Sequence, residues 1–194
     1  SSDLLYSGRS AVARSLARRF GVWVVTIDFE HGSNQNLLDP QLQALLLELT
    51  SSGAFLGLGA APECCSFSRA VHPPVRSAAC PWGLPGLGER PKQKVETGNL
   101  HAEFLLRVLV VCEQLGMVYW VENPDGSFLW LLPDWSRAEI GAPEKSFRVD
   151  LCRYYTPWRK RTRVATNTCL SGQRHLCLGG HTRSEERRVG KECR

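Results

Sequence analysis

The chain has 194 residues, of which 43% are hydrophobic, so it is long enough for one domain with a sizeable core. Its 24 Lys and Arg residues against 19 Asp and Glu give a net charge of +5, too mild to indicate a nucleic-acid partner by itself. The eight cysteines are irregularly spaced, and no apolar run approaches the roughly 18 residues of a membrane span, which argues against a disulfide-rich secreted domain and a membrane protein.

Strands and helices alternate along the first 122 residues. The predicted strands lie at residues 3–7, 22–27, 54–59 and 117–121, and the predicted helices at about 10–20, 40–49 and 100–115. The run 22–27 is continuously apolar and rich in β-branched residues, as is typical of a strand buried on both faces of a parallel sheet. The alternation predicts an α/β protein with a doubly wound, mostly parallel sheet. Two further strands are predicted at residues 147–155 and 161–166.

A long loop is predicted at residues 66–97, which contain five prolines and three glycines. Loops of this length are uncommon in compact domains unless they have a function. This one directly follows two thiols, Cys64 and Cys65, which makes it a candidate functional segment.

The last twelve residues, 183–194, are densely charged and show no apolar periodicity. Their sequence, RSEERRVGKECR, resembles the in-frame translation of a sequencing-library adapter, so we expect a non-native tail. Without its five basic and three acidic residues the chain retains 19 basic and 16 acidic residues. We expect a fragment: a catalytic core at 1–166, the start of a truncated C-terminal region at 167–182, and the tail at 183–194.

Five residues follow the predicted strands at the edge where α/β sheets bind ligands: Gly8, Asp28, Asp39, Cys64 and Glu122. A glycine turn before a helix and an acid after the second strand suggest a nucleoside cofactor. Each has a simpler alternative. Gly8 would serve as a tight turn, Asp28 as a solvated strand end, and Asp39, which precedes a proline, as a helix N-cap.

Cys64 and Cys65 are the candidate nucleophiles, although free cysteines are more often inert core residues. Nearby Arg69, His72 or Arg76 would raise the thiolate fraction of such a residue. Glu122 ends a buried strand, which is costly for a carboxyl group without a partner or a role.

Four segments together resemble the DNA cytosine-5 methyltransferases, in particular the divergent methyltransferase-like domains of retroelements and phages. The segments are Tyr6-Ser7-Gly8-Arg9-Ser10, Cys64-Cys65-Ser66-Phe67-Ser68, Glu122-Asn123-Pro124 and Arg159-Lys160-Arg161-Thr162-Arg163. The resemblance covers roughly residues 3–166.

The sequence departs from the family pattern at three places. The family's first turn has a second glycine where this chain has Ser10, and Glu63 is inserted between Pro62 and Cys64. Arginine replaces the glutamine that opens the last motif. Cys64 has the family's spacing to Phe67, so we take it as the nucleophile, with Cys65 as the alternative.

The resemblance implies a Rossmann-like, S-adenosylmethionine-dependent methyltransferase core. The cofactor would be bound by Tyr6, Gly8, Asp28, Asp39 and Pro62. The catalytic residues would be Cys64, Glu122, Arg161 and Arg163. Cys64 would attack carbon 6 of a flipped-out cytosine, Glu122 would stabilise the charge that develops at nitrogen 3, and the two arginines would hold the base and a phosphate.

DNA is the partner that the resemblance implies, and RNA remains an alternative because the same chemistry acts on both. A decayed, non-catalytic module of a mobile-element polyprotein is the alternative from another class. We expect a monomer without a membrane or a bound metal, in an intracellular compartment and in the nucleus if the source is eukaryotic. Cys169, Cys177 and His181 match no standard zinc spacing.

Overall fold

The computed structural model describes residues 2–5, 11–154, 160–168 and 176–179. The chain divides into two compact units. The first comprises Ser1–Pro62 and Leu100–Val121, and the second comprises Glu63–Asn99 and Glu122–Arg194.

The first unit contains a parallel sheet. Its strands are β1 (Ser2–Leu5), β2 (Val24–Ile27), β3 (Gly57–Ala60) and the first part of β4 (Val118–Pro124). Strand β1 pairs with β2 and β3, and β3 pairs with β4, all in parallel. Residues Leu58–Ala60 of β3 are fully buried, which agrees with the apolar run that predicted this strand.

Helices accompany the parallel strands. They are α1 (Ala11–Phe20), α2 (Pro40–Ser51) and α3 (Glu89–Leu115), of which α3 begins in the second unit. The α/β class is therefore confirmed. None of the described helices is both long enough and apolar enough to cross a membrane.

The end of the predicted 66–97 loop is wrong, because α3 already starts at Glu89. Its first turn contains Pro91, and proline is tolerated there because the first amide groups of a helix have no intrahelical acceptor. The rest of the segment, from Ser66 to Gly88, has no helix or strand, as predicted.

Asp39 caps helix α2. Its Oδ1 accepts hydrogen bonds from the backbone N–H groups of Gln41 at 2.7 Å and Leu42 at 3.4 Å, and Pro40 occupies the first helical position. The N-cap interpretation of Asp39 is therefore confirmed.

The second unit contains an antiparallel pair, β5 (Ser146–Asp150) and β6 (Arg161–Thr166), with Asp150 opposite Arg161. Strand β5 is shorter than the predicted 147–155, because a 3-10 turn begins at Leu151. A short helix, α4 (Pro133–Arg137), buries Trp135 edge-to-face against Trp130, with ring centroids 6.0 Å apart.

Candidate active site in the second unit

Strands β3 and β4 run in parallel, with Ala60 opposite Val121 in the register. The predicted end of β4 at residue 121 is wrong, because this strand continues to Pro124 and therefore includes Glu122. Cys64 comes four residues after the end of β3, and Glu122 directly follows Val121. Both residues belong to the second unit. Residues 61–64 lie beyond the register, so the pairing of the Cys64 thiol with the Glu122 carboxyl group stays a prediction.

Cys64 begins a tight turn. Its carbonyl oxygen accepts a hydrogen bond from the Ser68 N–H at 2.8 Å, while Ser66 and Phe67 inside the turn are buried. Cys64 and Cys65 are both half-buried and neither forms a disulfide, so burial does not distinguish the two candidate nucleophiles.

Arg76, which belongs to the same unit, hydrogen-bonds to this turn. The residue is only 2% exposed, and its guanidinium lies over the Phe67 ring, 3.9 Å from the ring centroid. It forms no ion pair with a carboxylate among the described residues. Burial lowers its pKa to about 10, which still leaves it charged at neutral pH.

All five N–H donors of Arg76 have acceptors. Nε donates to Ser66 O at 3.1 Å, and one terminal nitrogen donates to Ser66 Oγ and Val95 O, each at 3.0 Å. The other donates to Pro81 O at 2.7 Å and to Asn99 Oδ1 at 2.8 Å. One side chain thus ties the thiol-bearing turn to the loop beyond it and to helix α3.

Gly98 of α3 leaves the space that this network needs. A Cβ atom at this position would lie 2.2 Å from Ser66 Oγ, 3.1 Å from a terminal nitrogen of Arg76 and 3.3 Å from the Phe67 ring. The helix therefore approaches the turn more closely than a larger residue would allow.

Of the three cations that were predicted to activate the thiol, the two arginines contact other groups. Arg76 is committed to the network above, and His72 is exposed. Arg69 donates from Nε to Gly126 O at 2.8 Å and lies 5.3 Å from the ring centroid of Phe128.

Glu122 lies between two fully buried residues, Val121 and Asn123. Desolvation raises the pKa of its carboxyl group, while the charge of Lys160 and the nearby Thr162 hydroxyl act in the opposite direction. Thr162 Oγ1 is buried and makes no hydrogen bond of normal geometry to the described residues.

We expect Glu122→Gln to be more stable than the wild type at neutral pH. Because its pKa is raised, the carboxyl group of Glu122 binds a proton more tightly in the folded protein than in the unfolded chain. The free energy of unfolding therefore falls as the pH rises from the unfolded-state pKa of Glu122 through its folded-state pKa. Glutamine removes this penalty, and the difference should vanish below the ordinary glutamate pKa of about 4.3. Urea unfolding at several pH values measures it.

The matched control for this experiment is Glu144→Gln, at an exposed position of the same unit. A stability difference between Glu122→Gln and wild type that persists unchanged at acid pH would contradict the assignment.

Arg161 and Arg163 are bound by carboxylates. Arg161 donates from Nε and a terminal nitrogen to the two oxygens of fully buried Asp150, at 3.2 and 3.3 Å. Arg163 lies 2.9 Å from Asp125 Oδ1, which also accepts from Arg148 Nε at 2.9 Å. Burial alone would raise the pKa of Asp125, but Arg148 and Arg163 together lower it below the ordinary value.

Lys160 and Thr162 are the residues of this segment that lower the pKa of Glu122. Neither was predicted as a site residue. Alternation along a strand places positions 160 and 162 on one face and positions 161 and 163 on the other. That period of two could be recognised in the sequence. The pairing of the two arginines with Asp125 and Asp150 could not be predicted from it.

Of the predicted cofactor residues, Tyr6 and Gly8 lie outside the described residues. Asp28 directly follows β2 and Pro62 comes two residues after β3, and both strands pair with β1, so the two residues leave the sheet on either side of β1. A half-buried carboxylate at this position has the acceptor chemistry that ribose hydroxyls need, so the described residues fit a nucleoside. Asp39 is exposed and caps α2.

Cys169 and His181 also lie outside the described residues. Cys177 donates its backbone N–H to Asp150 Oδ2 at 2.7 Å. Within the described part of the chain, no three His, Cys, Asp or Glu side chains cluster as metal ligands would.

Comparisons with protein-family models, curated proteins and solved structures found no match to this chain.

Proposed function

We propose that this chain is the catalytic core of a cytosine-5 methyltransferase that acts on DNA and uses S-adenosylmethionine. The observation that supports this proposal best is that β3, which leads to Cys64, pairs in parallel with β4, which carries Glu122. DNA as partner, a monomeric state, an intracellular location and a Rossmann-like core are parts of the same proposal.

The chemistry needs a nucleophile and an acid on one pyrimidine. The Cys64 thiolate forms a bond to carbon 6 of cytosine, and the electrons of the carbon 5–carbon 6 bond move toward carbon 5 and nitrogen 3. Glu122, whose raised pKa favours the protonated form, donates a hydrogen bond to nitrogen 3 and stabilises that charge. Loss of the carbon-5 proton after methylation then expels the Cys64 thiolate and restores the double bond.

The bound cofactor would supply the electrophilic methyl group. In this proposal Asp28 holds its ribose hydroxyls and Pro62 packs beside it, together with Tyr6 and Gly8; Asp39 stays assigned to the same site, although its Oδ1 already caps α2. Arg161 and Arg163 would contact the base and a phosphate only if substrate competes with Asp150 and Asp125.

We expect Cys64→Ala to abolish methyl transfer while cofactor binding persists, because the thiol is needed only for the covalent step. The measurement is transfer of labelled methyl groups to DNA and to RNA of the same sequence, with trapping of the covalent complex on a 5-fluorocytosine oligonucleotide. Cys65→Ala is the matched control and should retain turnover.

Retained turnover in Cys64→Ala would refute the assignment, and loss in Cys65→Ala alone would move the nucleophile by one residue. Transfer to RNA but not to DNA would favour the RNA alternative.

A non-catalytic module is the second candidate, and the commitment of both strand arginines to aspartates favours it. Calorimetry with S-adenosylmethionine separates the two functions, since a binding-only or decayed module would show neither cofactor binding nor methyl transfer.

A further inference from the structure

A pocket of about 390 Å³ lies in the second unit next to the thiol-bearing turn. We call it the flanking pocket, and its lining includes Ser68, Arg69, Val71, Pro74, Ser77 and Phe128. None of these residues belongs to the proposed catalytic set. The volume is near the lower end for small-molecule sites, enough for one nucleoside but not for an extended peptide.

The pocket joins the turn directly. Ser68, at its rim, donates its N–H to Cys64 O at 2.8 Å, and Phe128 donates its N–H to Phe67 O at 2.9 Å. Both walls of the pocket are thus attached by backbone hydrogen bonds to residues 64–67. The pocket therefore adjoins the turn that carries the proposed nucleophile.

The chemistry of the walls suits a nucleotide. Phe128 offers an aromatic face, and the Arg69 guanidinium lies 5.3 Å from its ring centroid. Arg69 is exposed and is oriented by the hydrogen bond from Nε to Gly126 O. Its terminal nitrogens make no hydrogen bond or ion pair to the described residues, and a guanidinium fork binds phosphate well.

The other cation in the wall is not available. Arg76 also lines the pocket, but its five donors are all satisfied within the protein. Arg69 is thus the cation that a phosphate would meet.

A second cavity of the same unit, near Trp82, is a weaker candidate. Its cation, Lys92, is already paired with Glu96 at 3.8 Å.

We infer that the flanking pocket binds the nucleotide next to the target cytosine, with its base on Phe128 and its phosphate on Arg69. The inference rests on the proposed function and extends it: the protein would read sequence context through residues that directly follow its nucleophile.

The test is binding of short single-stranded DNA, measured by fluorescence anisotropy with the full chain. One oligonucleotide contains a single cytosine, and two others carry an abasic nucleotide on its 5′ or 3′ side. We expect one of the abasic oligonucleotides to bind the wild type about tenfold more weakly, since stacking on an aromatic ring contributes on that scale. Phe128→Leu should bind that oligonucleotide and the intact one equally.

Arg69→Gln should reduce the salt dependence of binding by about 0.7 in the logarithmic slope, as expected for one lost phosphate contact on a single strand. Arg137→Gln is the matched control, because it removes the same charge from an exposed side chain that contacts Asp134. Its salt slope should equal that of the wild type. A urea unfolding curve of Phe128→Leu that matches the wild type verifies its fold.

An equal abasic penalty in the wild type and Phe128→Leu would overturn the inference, and so would the absence of any penalty in a wild type that binds and methylates the intact strand. In both cases the proposed function stands. Failure of the wild type to bind any of the oligonucleotides would overturn both.

Discussion

Arg76→Met is expected to lower the free energy of unfolding by about 4 kcal/mol or more, the largest effect of any single substitution considered. The substitution removes five hydrogen bonds, of which the three to Ser66 O, Ser66 Oγ and Val95 O are buried. Domains are stable by only about 5–15 kcal/mol, so the loss should be evident in urea unfolding.

Arg76→Lys is the informative comparison. Lysine keeps the charge but has three donors instead of five and no planar face for Phe67, so we expect an intermediate loss. Hydrogen exchange should show faster opening of residues 64–68 in both variants, in the order methionine, lysine, wild type. Equal stability of Arg76→Met and wild type would mean that the buried guanidinium does not hold the turn.

Gly98→Ala is expected to destabilise the protein by about 2 kcal/mol through overpacking. Helix propensity alone predicts the opposite sign, since alanine stabilises a helix interior by about 1 kcal/mol relative to glycine. The added methyl group would occupy the place of Ser66 Oγ and displace the turn that carries Cys64. The sign of the change therefore reports whether the close approach of helix and turn exists.

Two variants make this test specific. Gly88→Ala, just before the same helix, meets nothing within 4 Å and should leave the stability nearly unchanged. Ser66→Ala combined with Gly98→Ala should recover part of the loss, because the nearest clashing atom is gone. If Gly98→Ala stabilised the protein, the packing described for this turn would be wrong.

The regular elements were largely predictable from the sequence. The buried strand β3 shows as a short apolar run, and the Asp39–Pro40 pair marked the start of α2. The prediction that the run 22–27 is buried on both faces is wrong, because Val25 of β2 is 44% exposed and the preceding Trp23 is 85% exposed. The start of α3 was missed because Pro91 is typical of a loop. It is tolerated there because it lies in the first turn of the helix.

The candidate site was predictable only in part. The sequence showed that Cys64 follows one strand and Glu122 belongs to its parallel neighbour, and the pairing of the two side chains stays a prediction. The roles of the arginines depend on partners such as Asp125, 38 residues away from Arg163. The role of Arg76 depends on five acceptors, which no local pattern reveals.

The second unit is built from two stretches of chain separated by residues 100–121. The hydrogen bond from the Phe128 N–H to Phe67 O joins these two stretches across a long sequence separation. We therefore expect the thiol-bearing turn to acquire this bond late in folding. During synthesis on the ribosome, Cys64 and Arg76 emerge well before Phe128, whose N–H binds this turn. A nascent chain would therefore lack this hydrogen bond until β4 and the residues just beyond it have left the exit tunnel.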